Sequence, residues 1–246
     1  DIRFKSFQRF ESIKQIKTAN MCDAGQCTDR LLYEEVKMTV LNITRWNAAL
    51  GVGREFANDM IEYTKMRKAD GAKMALVASS SEIPGVFWTL NRYEDQGEAD
   101  RDLASIFDSD AGKKRDEIQT KLAEKLRYTR GEIIVPMNAP DETPQAFNSV
   151  QLVAAKGRSR DFRPRIMSVV DYISGKGQKV GLIAARSGNI NRCWLLLSSK
   201  DQGEADRNTK TNYDDPAFLT AWFDMVESLE QTPELQRGTI LLSTND

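Results

Sequence analysis

The chain has 246 residues, 40% of them apolar and 29% charged, enough for one large or two small domains. Its 35 basic and 36 acidic residues leave a net charge near zero, which argues against nucleic-acid binding by bulk phosphate neutralisation. It has no histidine, which excludes Ser-His-Asp and Cys-His catalysis and removes the commonest metal ligand and the usual proximal haem ligand.

Phe4, Phe7, Phe10 and Ile13 recur every third residue within a basic stretch (Arg3, Lys5, Arg9, Lys14, Lys17). Residues 1–35 therefore read as an N-terminal extension, an amphipathic arm packed on the body, with a membrane-surface helix as the alternative. Asp1 in place of Met fits a processed leader. Cys22 and Cys27 form a disulfide, which would imply export to an oxidising compartment, or remain two loop thiols. Cys193 sits in an apolar run and reads as a small buried hydrophobe.

From residue 36 the expected elements alternate. A strand spans Val36–Trp46, a helix Arg54–Lys68 stopped by Asp70-Gly71, and strands follow at Lys73–Ser79 and Val86–Tyr93, joined as a hairpin. A helix lies within Leu103–Leu126, clearest over Asp116–Arg127, and a strand over Glu132–Met137. The Pro-rich run Asn138–Pro144 reads as a linker. The order then repeats: strand Ser149–Ala155, helix Phe162–Ile173, strands Lys179–Ala185 and Arg192–Ser199, a helix opened by Pro216, and a strand Thr239–Ser243.

The letters repeat as well. Asp95-Gln-Gly-Glu-Ala-Asp-Arg101 recurs at Asp201–Arg207, an offset of 106, and at the same offset Trp88 meets Trp194. Arg130-Gly131 meets Arg237-Gly238 at 107. The reading is α+β: two ferredoxin-like β-α-β-β-α-β repeats, at 36–137 and 138–246, in tandem. The seven-residue segment reads as a solvated acidic turn, with an acidic loop for a cation or a basic partner as the functional alternative, although its spacing matches no calcium loop.

The run Phe87-Trp-Thr-Leu-Asn-Arg-Tyr-Glu-Asp95 and the terminal Thr232-Pro-Glu-Leu-Gln236 resemble the dimeric α/β-barrel superfamily, which includes the NIPSNAP proteins, antibiotic-biosynthesis monooxygenases and haem-degrading monooxygenases. The resemblance implies two four-stranded sheets closing into a barrel with helices outside, here as a pseudo-dimer within one chain. It also implies an active cleft between sheet and helices. Haem-degrading relatives use an Asn on the first strand, a Trp on the second helix and a His beyond it. Asn42 and Trp222 match the first two, but in different repeats; the first strand of repeat 2 offers Gln151, and no His exists. His-dependent haem chemistry is therefore not expected.

Relatives that oxidise polycyclic phenols without a cofactor imply another set: Asn42 and Tyr93 as catalytic candidates, with Trp46, Trp88, Asn91, Trp194 and Trp222 as ligand-binding residues. Packing is the simpler role for Trp88 and Trp194, which occupy equivalent positions. The expected function is binding of a small apolar or aromatic ligand, with cofactor-independent oxygenation as its activity and neither metal nor nucleic acid involved. The alternative is a non-catalytic binding or assembly module with a filled core.

Overall fold

The computed structural model describes residues 39–81, 85–137 and 144–243. The N-terminal arm, Cys22 and Cys27, and most of the Pro-rich linker lie outside them.

The first half runs β1 (Val40–Asn47), α1 (Gly53–Ala69), β2 (Lys73–Ser79), β3 (Val86–Tyr93), α2 (Gln96–Ile106), α3 (Asp110–Gln119) and β4 (Arg127–Val135). The second runs β5 (Ala146–Val153), α4 (Ser159–Gly175), β6 (Lys179–Ala185), β7 (Arg192–Ser199), α5 (Gln202–Tyr213), α6 (Pro216–Val226) and β8 (Glu234–Ser243). The eight strands close into one antiparallel barrel in the order β1-β3-β2-β8-β5-β7-β6-β4. The halves meet at two seams, β2 with β8 and β4 with β6, each with a register shift. Among the described residues, closure leaves no sheet edge to pair with another chain.

Side-chain alternation sorts each strand into two faces. On β1, Ile43 and Arg45 face the barrel interior, while Trp46 joins the helix-side core. α1 buries Phe56, Met60, Tyr63, Thr64 and Arg67, and α4 buries Phe162, Ile166, Val169, Val170 and Ile173 at the same helical spacing. Each lies in its own helix–sheet core. Gly71 (φ +87°) and Gly177 (φ +76°) take the left-handed turn after the two helices, so the second stop falls beyond the expected Ser174-Gly175.

Glycine also sets the seams. A Cβ on Gly131 would lie 2.4 Å from Ile183 Cγ2, and one on Gly238 would lie 2.4 Å from Val77 Cγ1. A β-branched side chain of the neighbouring strand fills the space that each glycine leaves open.

Three expectations need correction. Each half contains one more helix than the six-element pattern, because α2 and α5 begin within the repeated seven-residue segment. That segment is not a solvated turn. Asp95 and Asp201 are N-caps that accept the amides of Glu98 and Glu204 at 2.8 and 2.7 Å. Glu98 and Glu204 in turn accept the amides of Glu94 and Lys200, a reciprocal arrangement related to the capping box. Ala99 and Ala205 are buried, and Asp100 and Asp206 reach the last strand of their own half, meeting Arg130 and Arg237 at 2.7 and 2.9 Å. Lastly, α3 ends at Gln119 and Arg127 opens β4, so the helix expected over Asp116–Arg127 stops short.

Candidate binding site inside the barrel

On the helix side of the first half, the expected site residues are engaged by neighbouring side chains, and a pocket of about 310 Å³ opens beside Tyr93 and Asp102. Asn42 is buried on β1 and accepts a hydrogen bond from Arg130 Nε at 3.0 Å, the same arginine that pairs with Asp100. Tyr93 donates its hydroxyl to Asp102 Oδ2 at 2.6 Å, and Arg67 binds both oxygens of that carboxylate at 2.6 and 2.7 Å. Burial, reinforced by the bond to Asp102, pushes the Tyr93 hydroxyl well above its ordinary value, so it stays protonated. Burial alone would lower Arg67, but Asp102 outweighs it and keeps the guanidinium charged. Trp46 donates Nε1 to Thr89 Oγ1 at 3.0 Å and packs 6.0 Å from the Tyr63 ring. Asn91 lies opposite Asn42 across the β1–β3 ladder. Trp222 stacks on Phe218 in the helix layer, 5.8 Å between ring centroids. None of these five side chains lines the barrel interior described below.

In the second half, register replaces Gln151 as the counterpart of Asn42. Asn42 faces Asn91 and Asn148 faces Leu197, so both partners are separated by the same 106 residues. Asn148 is buried with its Oδ1 unpaired among the described residues, beside a void of about 20 Å³, room for little more than a water. Starting that strand at Ser149 hid Asn148, although the repeat offset pointed to it. The Cys193 thiol packs in the helix-side core, where burial pushes it up to about 12.

Open space also lies inside the barrel. A cavity of about 340 Å³ opens at one end, at the small end of the ~300–1,000 Å³ typical of small-molecule sites. Trp88 and Trp194, 8% and 7% exposed, are both in its wall. Leu90, Phe147 and Leu196 form the floor and separate it from a second opening of about 230 Å³ at the other end.

The ladders place a polar level around the indoles. Arg45 lies between Trp88 and Arg127, and Gln151 between Trp194 and Glu234. Equivalent positions thus carry Arg45 and Gln151, and Arg127 and Glu234. The first wall is basic: Arg45 and Arg127 share Glu124 at 3.0 and 2.9 Å. Arg127, with help from Asn47, holds the Glu124 carboxyl below its ordinary value. On the second wall Glu234 accepts from Gln151 and Gln236 at 3.1 and 3.3 Å. Arg192, the first residue of β7, lies with its guanidinium carbon 6.0 Å from the Trp194 centroid, within cation–π range. Sequence reasoning named the two Trp but missed Arg127, Arg192 and Glu234. The available signal was strand alternation, since Arg192, Trp194 and Leu196 share one face.

No protein-family model matches the chain, and no curated protein does. Solved structures do. A candidate monooxygenase from Fusobacterium nucleatum subsp. nucleatum aligns with a TM-score of 0.67 at 12% identity, over 84% of this chain and 94% of its own. A candidate monooxygenase from Lactobacillus acidophilus NCFM gives 0.62 at 10%, over 82% and 94%. An anthrone oxidase-like protein gives 0.60 at 8%, over 86% and 95%. At these identities the likeness shows the fold, and that fold is the dimeric α/β barrel.

Proposed function

We propose that this chain is a small-molecule-binding α/β barrel whose ligand, an apolar or aromatic compound, occupies the cavity inside the barrel. One observation carries the reading: both equivalent tryptophans, Trp88 and Trp194, line the same cavity of about 340 Å³ above an apolar floor. Indoles offer large, flat apolar contact to an aromatic ring. A titration of aromatic compounds followed by tryptophan fluorescence tests it. Binding should quench or shift the emission, and Trp88→Phe with Trp194→Phe should remove most of that response. If Trp46→Phe removes it instead, the ligand sits elsewhere.

The structural neighbours support oxygenation as the activity to examine. In cofactor-free oxygenation an electron-rich phenolic substrate itself supplies the electrons to dioxygen, and the protein orients the ring and stabilises developing negative charge. Arginines around two indoles suit that task. Oxygen uptake with a panel of polyphenols should rise above the uncatalysed rate; none with any binding phenol makes the chain a binder only. A non-catalytic module has its own support, since Asn42 and Tyr93 are already engaged by Arg130 and Asp102.

We further propose that residues 36–137 and 138–246 descend from one copied module and form a pseudo-dimer within the chain. The repeated capping segment, the matching seam glycines and the common strand order support this.

A further inference from the structure

We infer that the barrel cavity selects aromatic ligands bearing an anionic oxygen, a carboxylate or phenolate, and that Arg192 is the group that receives it. The inference rests on the reading that the cavity is a ligand site, and adds the ligand's charge and its partner.

Charge across the cavity points this way. Its lining holds four arginines, at 45, 127, 192 and 237, and one carboxylate, Glu234. Arg45 and Arg127 share Glu124 behind the wall, and Arg237 pairs with Asp206. Four guanidinium groups against these three carboxylates leave one positive charge. Arg192 is the arginine of the four that has no carboxylate within ion-pair distance among the described residues, and its Nε is buried without a hydrogen-bond partner. A buried donor left unmet costs free energy that a ligand oxygen would recover. Glu234 is differently placed, because both its oxygens already accept amide donors from Gln151 and Gln236. A cationic ligand would therefore face the excess guanidinium charge and compete for an occupied acceptor.

The position of Arg192 fits a ligand with one polar end. It opens β7 at the cavity rim, and Leu196, four residues further along the strand, belongs to the floor. Trp194 lies between them on the same face, close enough for the guanidinium to lie over the indole. A ring set against the indoles would project its anionic substituent toward the rim. Charge-assisted hydrogen bonds to a planar guanidinium are the strong kind, and Arg presents them in a fork that matches a carboxylate.

The test uses two probes of nearly the same shape, 2-naphthoate and its neutral amide 2-naphthamide, titrated calorimetrically into the full chain near neutral pH. The expected result is at least tenfold tighter binding of the naphthoate. In Arg192→Gln that preference should vanish while the naphthamide affinity changes less than threefold. Lys113→Gln, an exposed charge on α3, should leave the preference intact. Thermal unfolding of each variant checks its fold, and Arg192→Lys provides a second variant, expected to keep a reduced preference. Equal binding of the two probes, or a preference that survives in Arg192→Gln, overturns the anion assignment and leaves the cavity as a binding site. Binding of neither probe overturns the assignment and counts against the cavity reading as well.

Discussion

The two halves, Val40–Val135 and Ala146–Ser243, have the same element order and strand order but solve the space between sheet and helices differently. In the first, Arg67 reaches from α1 to Asp102 on α2, and Tyr93 of β3 completes the group. At the equivalent positions the second half has Ile173, Asn208 and Ser199. Ile173 is buried among apolar neighbours, and polar pairing moves to Gln178 and Asn212, whose amides exchange hydrogen bonds at 2.9 and 3.0 Å. One backbone thus tolerates an ion pair or an apolar contact at the same place. At that place, only the ion pair leaves a buried charge when a single partner is lost.

The largest expected effect follows from that difference. The Arg67 side chain is 4% exposed. Asp102→Ala should strand its charge and destabilise the protein by about 3 kcal/mol in urea unfolding. Asn208→Ala, at the matching place, should cost less than about 1 kcal/mol. Arg67→Ile combined with Asp102→Asn installs the second half's residues and should recover most of the loss, because an apolar pair of similar volume often replaces a buried ion pair without penalty. A double variant no more stable than Asp102→Ala would mean that the first half needs its ion pair for more than charge balance.

The seams offer the opposite comparison, with both halves expected to behave alike. Gly131 and Gly238 each accommodate a β-branched side chain across the joint, with a backbone oxygen 3.1 Å from the Cβ position. Gly131→Ala and Gly238→Ala should each cost about 1–3 kcal/mol by overpacking. On separate seams, their costs should roughly add. Unequal costs would show that one seam yields more easily than the other.

Much of this architecture was legible in the residues. β2, β3, β6 and β7 fall where their apolar and β-branched runs begin and end, because a strand in a closed barrel must satisfy both faces and its composition shows it. α2 and α5 were not legible, since their exposed faces are charged and only Ala99, Ile106, Ala205 and Asn212 are buried, too few to set up a helical period. Their one clear local signal was Asp followed three residues later by Glu, a start signal better known with Ser or Thr at the cap. The site was less legible than the fold. Resemblance directed attention to Asn42 and Tyr93 on the helix side, whereas the cavity that Trp88 and Trp194 share lies on the other face of the same strands. Whether a tryptophan fills a barrel or lines a cavity depends on the summed volume of eight strands' side chains, and no single stretch of sequence encodes that sum.

The smallest expected effect separates the caps of two matching helices. Ser109 caps α3 through its hydroxyl, which accepts the Gly112 amide at 3.0 Å, and Asp215 caps α6 through a carboxylate, which accepts the Ala217 amide at 2.9 Å. Tyr172's hydroxyl, then that amide and Lys176, holds the Asp215 carboxyl down at about 2 instead of 3.8. Its folded value lies below its unfolded one, so the stability it adds is fully present above 3.8 and is lost as pH falls toward 2. Ser109 has nothing to titrate in that window. Carboxyl-carbon NMR should therefore show Asp215 titrating near pH 2. Between pH 4 and pH 2, exchange protection corrected for intrinsic rates should fall at Ala217 and hold at Gly112, unless acid loosens the whole barrel. Asp215→Ser, which gives α6 the first half's cap, should remove the difference. A drop shared equally by both helices in the unmodified chain would place the acid-sensitive group elsewhere than at this cap.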